Sequence, residues 1–93
     1  MAKARARHIL VESRDICDQL KAEIDGGADF AKVAREHSLC PSSRQGGDLG
    51  EFRPGQMVSE FDKVVFHKEL GKVHGPIKTR FGYHLIEITS RTP

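Results

Sequence analysis

The chain contains 93 residues, of which 15 are basic and 13 acidic, so its formal net charge is +2. This length favours one small domain with a modest core, which we predict to span residues 1–93. So small a charge does not indicate a nucleic-acid-binding protein, and no segment approaches the roughly 20 apolar residues needed to cross a membrane.

The N-terminus and the cysteines bear on the cellular compartment. The N-terminal sequence MAKARARHILV has no apolar run of the length, about 7 to 15 residues, that a signal peptide requires. Cys17 and Cys40 form neither a CxxC pair nor a dense disulfide pattern, which is typical of a reducing compartment. We therefore predict a cytoplasmic monomer that does not bind the membrane.

A first β-strand is predicted over residues 4–11, where ARARHILV alternates between the two faces of a sheet. This alternation places His8 on the same face as two alanines and places Ile9 on the other face. We therefore expect His8 to point into the interior or into a cleft.

Two helices are predicted to follow this strand. Ser13 can cap the first, which Gly26-Gly27 ends. Its apolar stripe consists of Ile16, Leu20 and Ile24. The second helix begins near Asp29. Its stripe consists of Phe30, Val33, Ala34 and His37.

Residues 40–61, CPSSRQGGDLGEFRPGQMVSEF, contain four glycines, two prolines and four apolar anchors. Such a segment bends repeatedly while its apolar residues still find a surface to cover. We predict a short helical turn over 42–47 and a short strand over 48–53, with Leu49 and Phe52 on opposite sides. The segment should shape a shallow apolar wall.

Ser59 is the predicted N-cap of a third long helix, in which Asp62 takes the place of the glutamate in a capping box. This helix should end near Leu70-Gly71. Two further strands are predicted, around residues 74–78 and in YHLIEIT, where His84 shares one face with two isoleucines. The order β-α-α-α-β-α-β-β indicates an α+β domain, with a four-stranded, mainly antiparallel sheet surrounded by three to four helices.

Two histidines are candidates for chemistry because both lie on predicted strands. His8 is on the first strand and His84 on the last, so their imidazoles would approach each other if these strands were neighbours. A strand histidine is more often a hydrogen-bonded structural residue than a catalyst. The residues alone leave both roles open.

Several other residues have an ordinary structural interpretation. From the residues alone, Cys40 is expected to be a small buried apolar side chain, and Thr79 a turn residue. Leu49, Met57 and Phe61 are expected to belong to the core.

Neither a metal site nor a redox centre is predicted. The cysteines and histidines lack the short paired spacings of zinc ligands, and no cofactor is implied. A thiol redox protein built on Cys40 would lack a resolving partner, so this class is the least favoured.

Four segments occur in an order and spacing that indicate a family. They are RARHILV near the N-terminus, GGDLGEFRPGQMV and SEFDKVVF in the middle, and GPIKTRFGYHLIEI near the C-terminus. Together they resemble the parvulin family of peptidyl-prolyl cis/trans isomerases over residues 4–89, and in particular its small free-standing bacterial members. The resemblance implies the same order of strands and helices.

The resemblance also implies roles for individual residues. Parvulins have an active-site hydrogen-bond network of two histidines, a hydroxyl residue bonded to one of them, and a Cys or Asp that faces the pair. The matching positions are His8, His84, Thr79 and Cys40. A position that accepts either Cys or Asp indicates an electrostatic rather than a nucleophilic role. The positions that line the proline pocket are Leu49, Met57 and Phe61, with Phe81 at its rim.

The activity implied by the resemblance is rotation about Xaa-Pro bonds in peptides and in unfolded or nascent proteins. Catalysis would be non-covalent, through tighter binding of the twisted imide, and would need neither metal nor cofactor. An alternative of a different class is a non-catalytic chaperone module that holds extended chains in the same apolar groove. The enzyme is favoured because the polar network positions are filled as well as the apolar ones.

Phosphate-directed parvulins carry a basic cluster in an extended loop after the first strand. Here Val11 and Ser13 are almost adjacent, only Arg14 is nearby, and Phe81 stands where those relatives have a small polar residue. We therefore predict an isomerase that does not depend on phosphorylation and that accepts uncharged or apolar residues before proline.

Overall fold

The computed structural model describes residues 2–93, which form four strands, three α-helices and one short 3₁₀ helix. The elements in chain order are β1 (Lys3–Val11), α1 (Arg14–Asp25), α2 (Phe30–His37), the 3₁₀ helix (Pro41–Gln45), β2 (Asp48–Phe52), α3 (Ser59–Val65), β3 (Val73–Thr79) and β4 (Gly82–Thr92). The strands form one antiparallel sheet in the order β2-β1-β4-β3. The predicted α+β fold is therefore confirmed.

The central strands β1 and β4 have both faces covered, which follows from the alternation of their side chains. On one face lies a cluster that includes α3, here termed the α3-side core: Ala4, Ala6, Phe52, Phe61, Val64, Val65, Ile86 and Ile88. On the other face lies a cluster that includes α1 and α2, the α1-side core: Ile9, Val11, Cys17, Leu20, Phe30, Val33, Ala34 and Leu85. Each core excludes water from one side of the sheet.

The first two helices begin where the sequence predicts. Ser13 Oγ accepts a hydrogen bond from the backbone N–H of Ile16 at 3.3 Å, and Asp29 Oδ2 accepts one from Lys32 at 3.0 Å. Each side chain therefore satisfies an N–H group that has no partner within its helix. Gly26 ends α1, as predicted.

The predicted apolar stripes of these helices are wrong in two places. Ile16 is 40% exposed and Cys17 is fully buried, so the stripe of α1 runs through Cys17, Leu20 and the half-buried Ile24. His37 is exposed because the chain leaves α2 directly after it and turns toward β1. At that turn the backbone N–H of Leu39 bonds to Leu10 O at 2.8 Å.

A bulge in β2 shows that the predicted placement of Leu49 and Phe52 on opposite sides of the strand is wrong. Arg5 lies opposite Glu51 and Arg7 opposite Asp48, so β2 has one more residue than β1 between the same two pairs. Gly50, within this stretch, adopts a left-handed conformation with a φ of 72°. The extra residue shifts the alternation, and Leu49 and Phe52 both pack into the α3-side core rather than on opposite sides.

The predicted capping of α3 is wrong. Val58 occupies the N-cap, and no side chain bonds the first turn there. Asp62 instead reaches back to the preceding turn, where its Oδ2 accepts a hydrogen bond from Gly55 N at 2.6 Å. The carboxylate therefore fixes the turn before α3 rather than the first turn of the helix.

The third helix is also shorter than predicted, since it ends at Val65 rather than near Leu70-Gly71. Arg91 Nη1 donates to the carbonyl oxygens of Val65 at 2.8 Å and Lys68 at 2.7 Å. Gly71 N donates to Ile88 O at 3.1 Å. The segment after α3 is thus tied to β4, and these tertiary bonds take the place of further helical turns.

The predicted helical turn at 42–47 is a 3₁₀ helix that starts one residue earlier, and Gly46-Gly47 ends it. Gly47 is buried against β1, where the backbone N–H of His8 bonds to Gly47 O at 3.0 Å. A Cβ on Gly47 would overlap the His8 carbonyl oxygen, and its φ is 87°. Glycine at this position therefore allows the turn to approach the strand that carries His8.

We expect Gly47→Ala to destabilise the protein more than Gly55→Ala. Both glycines have a positive φ, which costs an L-residue about 1 to 2 kcal/mol, but a Cβ at Gly55 meets nothing within 4 Å. Overlap with the His8 carbonyl should add about 1 to 3 kcal/mol for Gly47→Ala. Urea unfolding of both variants measures the difference, and equal losses of stability would contradict the close approach.

Candidate active site

The pairing of β1 with β4 brings His8 and His84 together. Leu10 lies opposite His84 and His8 opposite Ile86, so the two histidines are diagonal neighbours on one face of the sheet. Their Nδ1 atoms are 3.1 Å apart, and the rings stack with centroids 5.2 Å apart. Both side chains are buried, at 5% and 4% exposure. The imidazoles therefore meet near the centre of the sheet, as the sequence predicts for neighbouring strands.

Thr79 extends this contact into a chain of hydrogen bonds. Its Oγ1 lies 2.7 Å from His84 Nε2 and accepts a hydrogen bond from the backbone N–H of Phe81 at 3.1 Å. Thr79 is buried at the end of β3, just before the tight turn to β4. The turn thus fixes the hydroxyl group against the imidazole.

The number of unpaired groups favours one direction for these hydrogen bonds. If the Thr79 hydroxyl donates to His84 Nε2, then His84 Nδ1–H donates to His8 Nδ1, and His8 Nε2–H alone lacks a partner. In the opposite direction both the hydroxyl hydrogen and the lone pair of His8 Nε2 would be unpaired. Because buried unpaired polar groups are costly, we assign the first arrangement.

Burial keeps both imidazoles neutral. Loss of solvation on burial and, to a smaller extent, the neighbouring His84 together lower the pKa of His8 to about 4. Burial also lowers the pKa of His84, against a smaller opposing effect of the Glu60 carboxylate. A neutral pair can share a hydrogen bond between Nδ1 atoms, whereas two imidazolium rings would repel each other.

Phe61 forms the floor beneath the two imidazoles. Its ring meets the rings of His8 and His84 edge-on, with centroids 5.7 and 6.0 Å apart. Only 3% of Phe61 is exposed. Leu49 and Met57 are half-buried and pack against the same α3-side core. Phe61 therefore supports the site from below, while Leu49 and Met57 retain access to solvent.

Met57 lines an open groove of about 460 Å³. The other residues that line it are Gln56, Val58, Ser59, Glu60 and Arg80. Phe81 lies beside Arg80 and is 57% exposed, with the Arg80 guanidinium 4.9 Å from its ring centroid. Phe81 itself is not among the residues that line the groove, so its role at the rim stays a prediction.

Cys40 is not joined to the histidines by a hydrogen bond. The thiol is half-buried and free, and its residue precedes the 3₁₀ helix. Both nitrogens of His84 have other partners, and His8 Nε2 is buried without any partner within residues 2–93. Cys40 therefore stands apart from the hydrogen-bonded chain of Thr79, His84 and His8.

The sequence analysis missed Glu60 and Arg80, although each is adjacent to a predicted site residue. Glu60 precedes Phe61, and Arg80 stands between Thr79 and Phe81. In a sequence, a charged residue near a site looks like any other charged surface residue. The signal that could have identified Glu60 and Arg80 was their position next to predicted site residues.

Other features of the described residues lie apart from this site. A groove of about 620 Å³ is lined by Pro54, Phe66 and Arg91 among others, but by none of the predicted site residues. Within residues 2–93, no group of three or more His, Cys, Asp or Glu side chains is arranged to hold a metal ion. No helix in the same range has the length and apolar character of a membrane span.

Comparison with protein families defines the class of this domain. Residues 3–90 match the family described as rotamase, the PPIC-type PPIASE domain. The chain belongs to this family and is a peptidyl-prolyl isomerase domain of the parvulin type, which confirms the predicted class.

Individual relatives include both longer and equally short proteins. The chain is 46% identical over 90 residues to the foldase protein PrsA of Geobacillus kaustophilus, covering 96% of this chain and 32% of the relative. The structure of PrsA from Bacillus anthracis superimposes with a TM-score of 0.95 at 32% identity, over 99% of this chain and 43% of that one. NmPin, the parvulin of Nitrosopumilus maritimus, gives a TM-score of 0.86 at 34% identity over 97% of this chain and 98% of its own. The chain thus spans about a third of the length of the curated relatives it matches.

We expect the stability of the folded protein to fall between about pH 6.5 and about pH 4. The unfolded chain protonates His8 near the ordinary pKa of 6.5, whereas the folded protein does so only at about 4. Within this window the unfolded state binds more protons, so the free energy of unfolding decreases as the pH falls. His8 alone should contribute about 3 kcal/mol. Urea unfolding at several pH values measures this slope.

Two histidine variants make this measurement specific. His8→Asn removes the titrating group and should flatten the pH dependence, whereas His37→Asn changes an exposed histidine and should retain it. A wild-type slope in His8→Asn would show that the buried pair does not control acid stability.

Proposed function

We propose that this domain accelerates rotation about Xaa-Pro bonds in peptides and in unfolded or nascent proteins, without a covalent intermediate. The observation that carries this proposal is the hydrogen-bonded chain from Phe81 N–H through Thr79 and His84 to His8. Arg80, which follows Thr79 in the sequence, lines the groove at Met57. Rotation faces a barrier of about 18 to 20 kcal/mol because the amide loses its resonance. No bond needs to break, so tighter binding of the twisted imide is sufficient for catalysis.

The four predicted catalytic residues would act through fixed electrostatics, three of them within the hydrogen-bonded chain and Cys40 outside it. As the imide twists, its nitrogen gains a localised lone pair and its carbonyl changes direction. Neutral imidazoles and a hydroxyl group held in place by β1, β3 and β4 present oriented dipoles that need not reorganise during the reaction. We assign this role to His8, Cys40, Thr79 and His84.

The apolar residues would hold the proline ring. Met57 has a flexible side chain at the groove and can adapt to a five-membered ring, with Leu49 beside the same core and Phe61 beneath it. Phe81 would close the rim. Together these side chains would keep the ring still while the preceding carbonyl rotates.

Phosphorylated substrates are not required in this proposal. The groove is lined by one basic side chain, Arg80, rather than by a basic cluster, and Glu60 in the same groove would repel a phosphate group placed next to it. Uncharged or apolar residues before proline avoid that repulsion. The likeness to NmPin and PrsA supports the isomerase class but does not bear on this preference.

The cellular location, the oligomeric state and the domain boundaries of this protein are predictions from the sequence. We propose a monomeric, cytoplasmic domain that spans residues 1–93 and binds neither nucleic acid nor membrane. Structural relatives from other compartments exist: a match from Campylobacter jejuni, with a TM-score of 0.90, belongs to a pair of SurA-like chaperones described as the virulence factor PEB4 and the periplasmic protein Cj1289.

A non-catalytic chaperone is the second candidate function, since several relatives are named foldases or chaperones. Exchange spectroscopy on a short Ala-Leu-Pro peptide separates the two functions without a coupled protease. The isomerase broadens or exchanges the cis and trans signals at substoichiometric concentration. A holding chaperone binds the peptide and leaves the exchange rate unchanged.

Thr79→Val should lower kcat/KM by about tenfold to hundredfold. Valine keeps the size of threonine but removes the donor to His84 Nε2, and a buried group left without its partner costs about 1 to 3 kcal/mol. Thr79→Ser keeps the hydroxyl and should restore most of the activity, and Thr89→Val at an exposed position is the control. Full activity of a folded Thr79→Val variant would remove Thr79 from the network.

A peptide series tests the substrate preference. The series consists of peptides with Leu, Ala or phosphoserine before proline. The domain should isomerise the two neutral peptides at least as fast as the phosphorylated one. The reason is that Glu60 opposes a second negative charge in the groove. Rates are measured by exchange spectroscopy at one ionic strength, and a clear preference for the phosphorylated peptide would contradict the prediction.

A further inference from the structure

Two opposite charges face the groove that Met57 lines. Glu60 comes from the first turn of α3, and Arg80 comes from the link between β3 and β4, so two separate elements place them on the same groove. Both side chains are exposed. The groove therefore has an acidic and a basic contributor next to Met57.

Neither charge is neutralised by an ion pair. The ion pairs within residues 2–93 involve other side chains, such as Arg5 with Asp48 and Lys21 with Asp25. Arg80 instead lies over the Phe81 ring, and Glu60 Oε1 accepts a 3.4 Å hydrogen bond from Ser59 Oγ. Both charges are thus available to a bound peptide.

The backbone fixes the positions of Glu60 and Arg80 relative to the hydrogen-bonded histidines. Glu60 precedes Phe61, whose ring meets both imidazoles, and Arg80 follows Thr79, whose hydroxyl bonds to His84. A peptide whose proline contacts Met57 must therefore extend its neighbouring residues past one or both of these side chains.

We propose that Glu60 and Arg80 determine specificity for proline peptides that carry opposite charges on the two sides of the Xaa-Pro pair, with the basic flank at Glu60 and the acidic flank at Arg80. This inference rests on the proposed isomerase function. The residue directly before proline stays uncharged, and the charges act on the residues outside the pair.

The expected size of the charge preference follows from the solvent exposure of Glu60 and Arg80. Exposed ion pairs contribute about 0.2 to 1 kcal/mol, which corresponds to a rate advantage of about 1.5-fold to fivefold for each matched flank at low ionic strength. Salt should screen it, because the Debye length falls from about 30 Å at 0.01 M to about 3 Å at 1 M.

Three peptides with one common Leu-Pro bond test the proposal: Glu-Leu-Pro-Lys, Lys-Leu-Pro-Glu and Gln-Leu-Pro-Gln, each blocked at both ends. The measured quantity is kcat/KM relative to the neutral peptide. One order of charges should exceed the neutral peptide by about twofold to about 25-fold at low salt, the product of the advantages at the two flanks, and this advantage should disappear at 1 M salt.

Variants then assign the effect to the two residues. Glu60→Gln and Arg80→Gln should each reduce the ratio, and the exchanged variant E60R/R80E should prefer the opposite order of charges. Glu23→Gln on α1 and Arg35→Gln on α2 are matched controls, since both side chains are exposed on helices that pack on the other face of the sheet. These controls should keep the wild-type ratio.

The outcomes separate this inference from the proposed function. Turnover of the neutral peptide with ratios of one for both charged peptides would overturn the specificity and leave the isomerase intact. A charge preference that persists in Glu60→Gln and Arg80→Gln would overturn it as well. Acceleration of none of the peptides would instead overturn the isomerase function itself.

Discussion

β1 and β4 run antiparallel at the centre of the sheet, from Lys3 opposite Thr92 to Val11 opposite Tyr83. The register of this pair decides which side chains share a face. A shift of one residue in either strand would move its histidine from the α3-side core to the opposite face. The stacked contact between His8 and His84, their edge-on contacts with Phe61 and the bond to Thr79 all depend on this register.

Burial gives the histidine pair its chemical character. The α3-side core removes water from both rings, so they remain uncharged and their hydrogen bonds take a fixed direction. In such an environment oriented dipoles act more strongly than they do in water. The apolar packing and the polar network are thus parts of the same arrangement, since the first sets the protonation state on which the second relies.

The sequence predicted the features that follow from local pattern and missed those that follow from tertiary contacts. Alternation placed both histidines on strands with a covered face, and the cap at Ser13 and the start of α2 near Asp29 are visible in the residue types alone. The bulge at Gly50 was not predicted, because one extra residue in a strand leaves no periodic signal. The end of α3 depends on Arg91, a residue remote in sequence, and therefore could not be read from the helix itself.

The site residues divide in the same way. The family motifs identified His8, Thr79 and His84, which the fold brings into contact. Cys40 lies in a matching motif, yet no hydrogen bond joins it to the pair. Glu60 and Arg80 belong to no motif, and their relation to the site appears only when α3 and the link between β3 and β4 are placed on one groove.

The last strand of the chain is inserted between the first strand and β3. During translation, a ribosome-bound chain can form its early helices, but β1 lacks its central neighbour until β4 has left the exit tunnel. The two imidazoles therefore meet only when both β1 and β4 are in place. A chain that lacks β4 also lacks His84 and therefore cannot form the contact between the imidazoles.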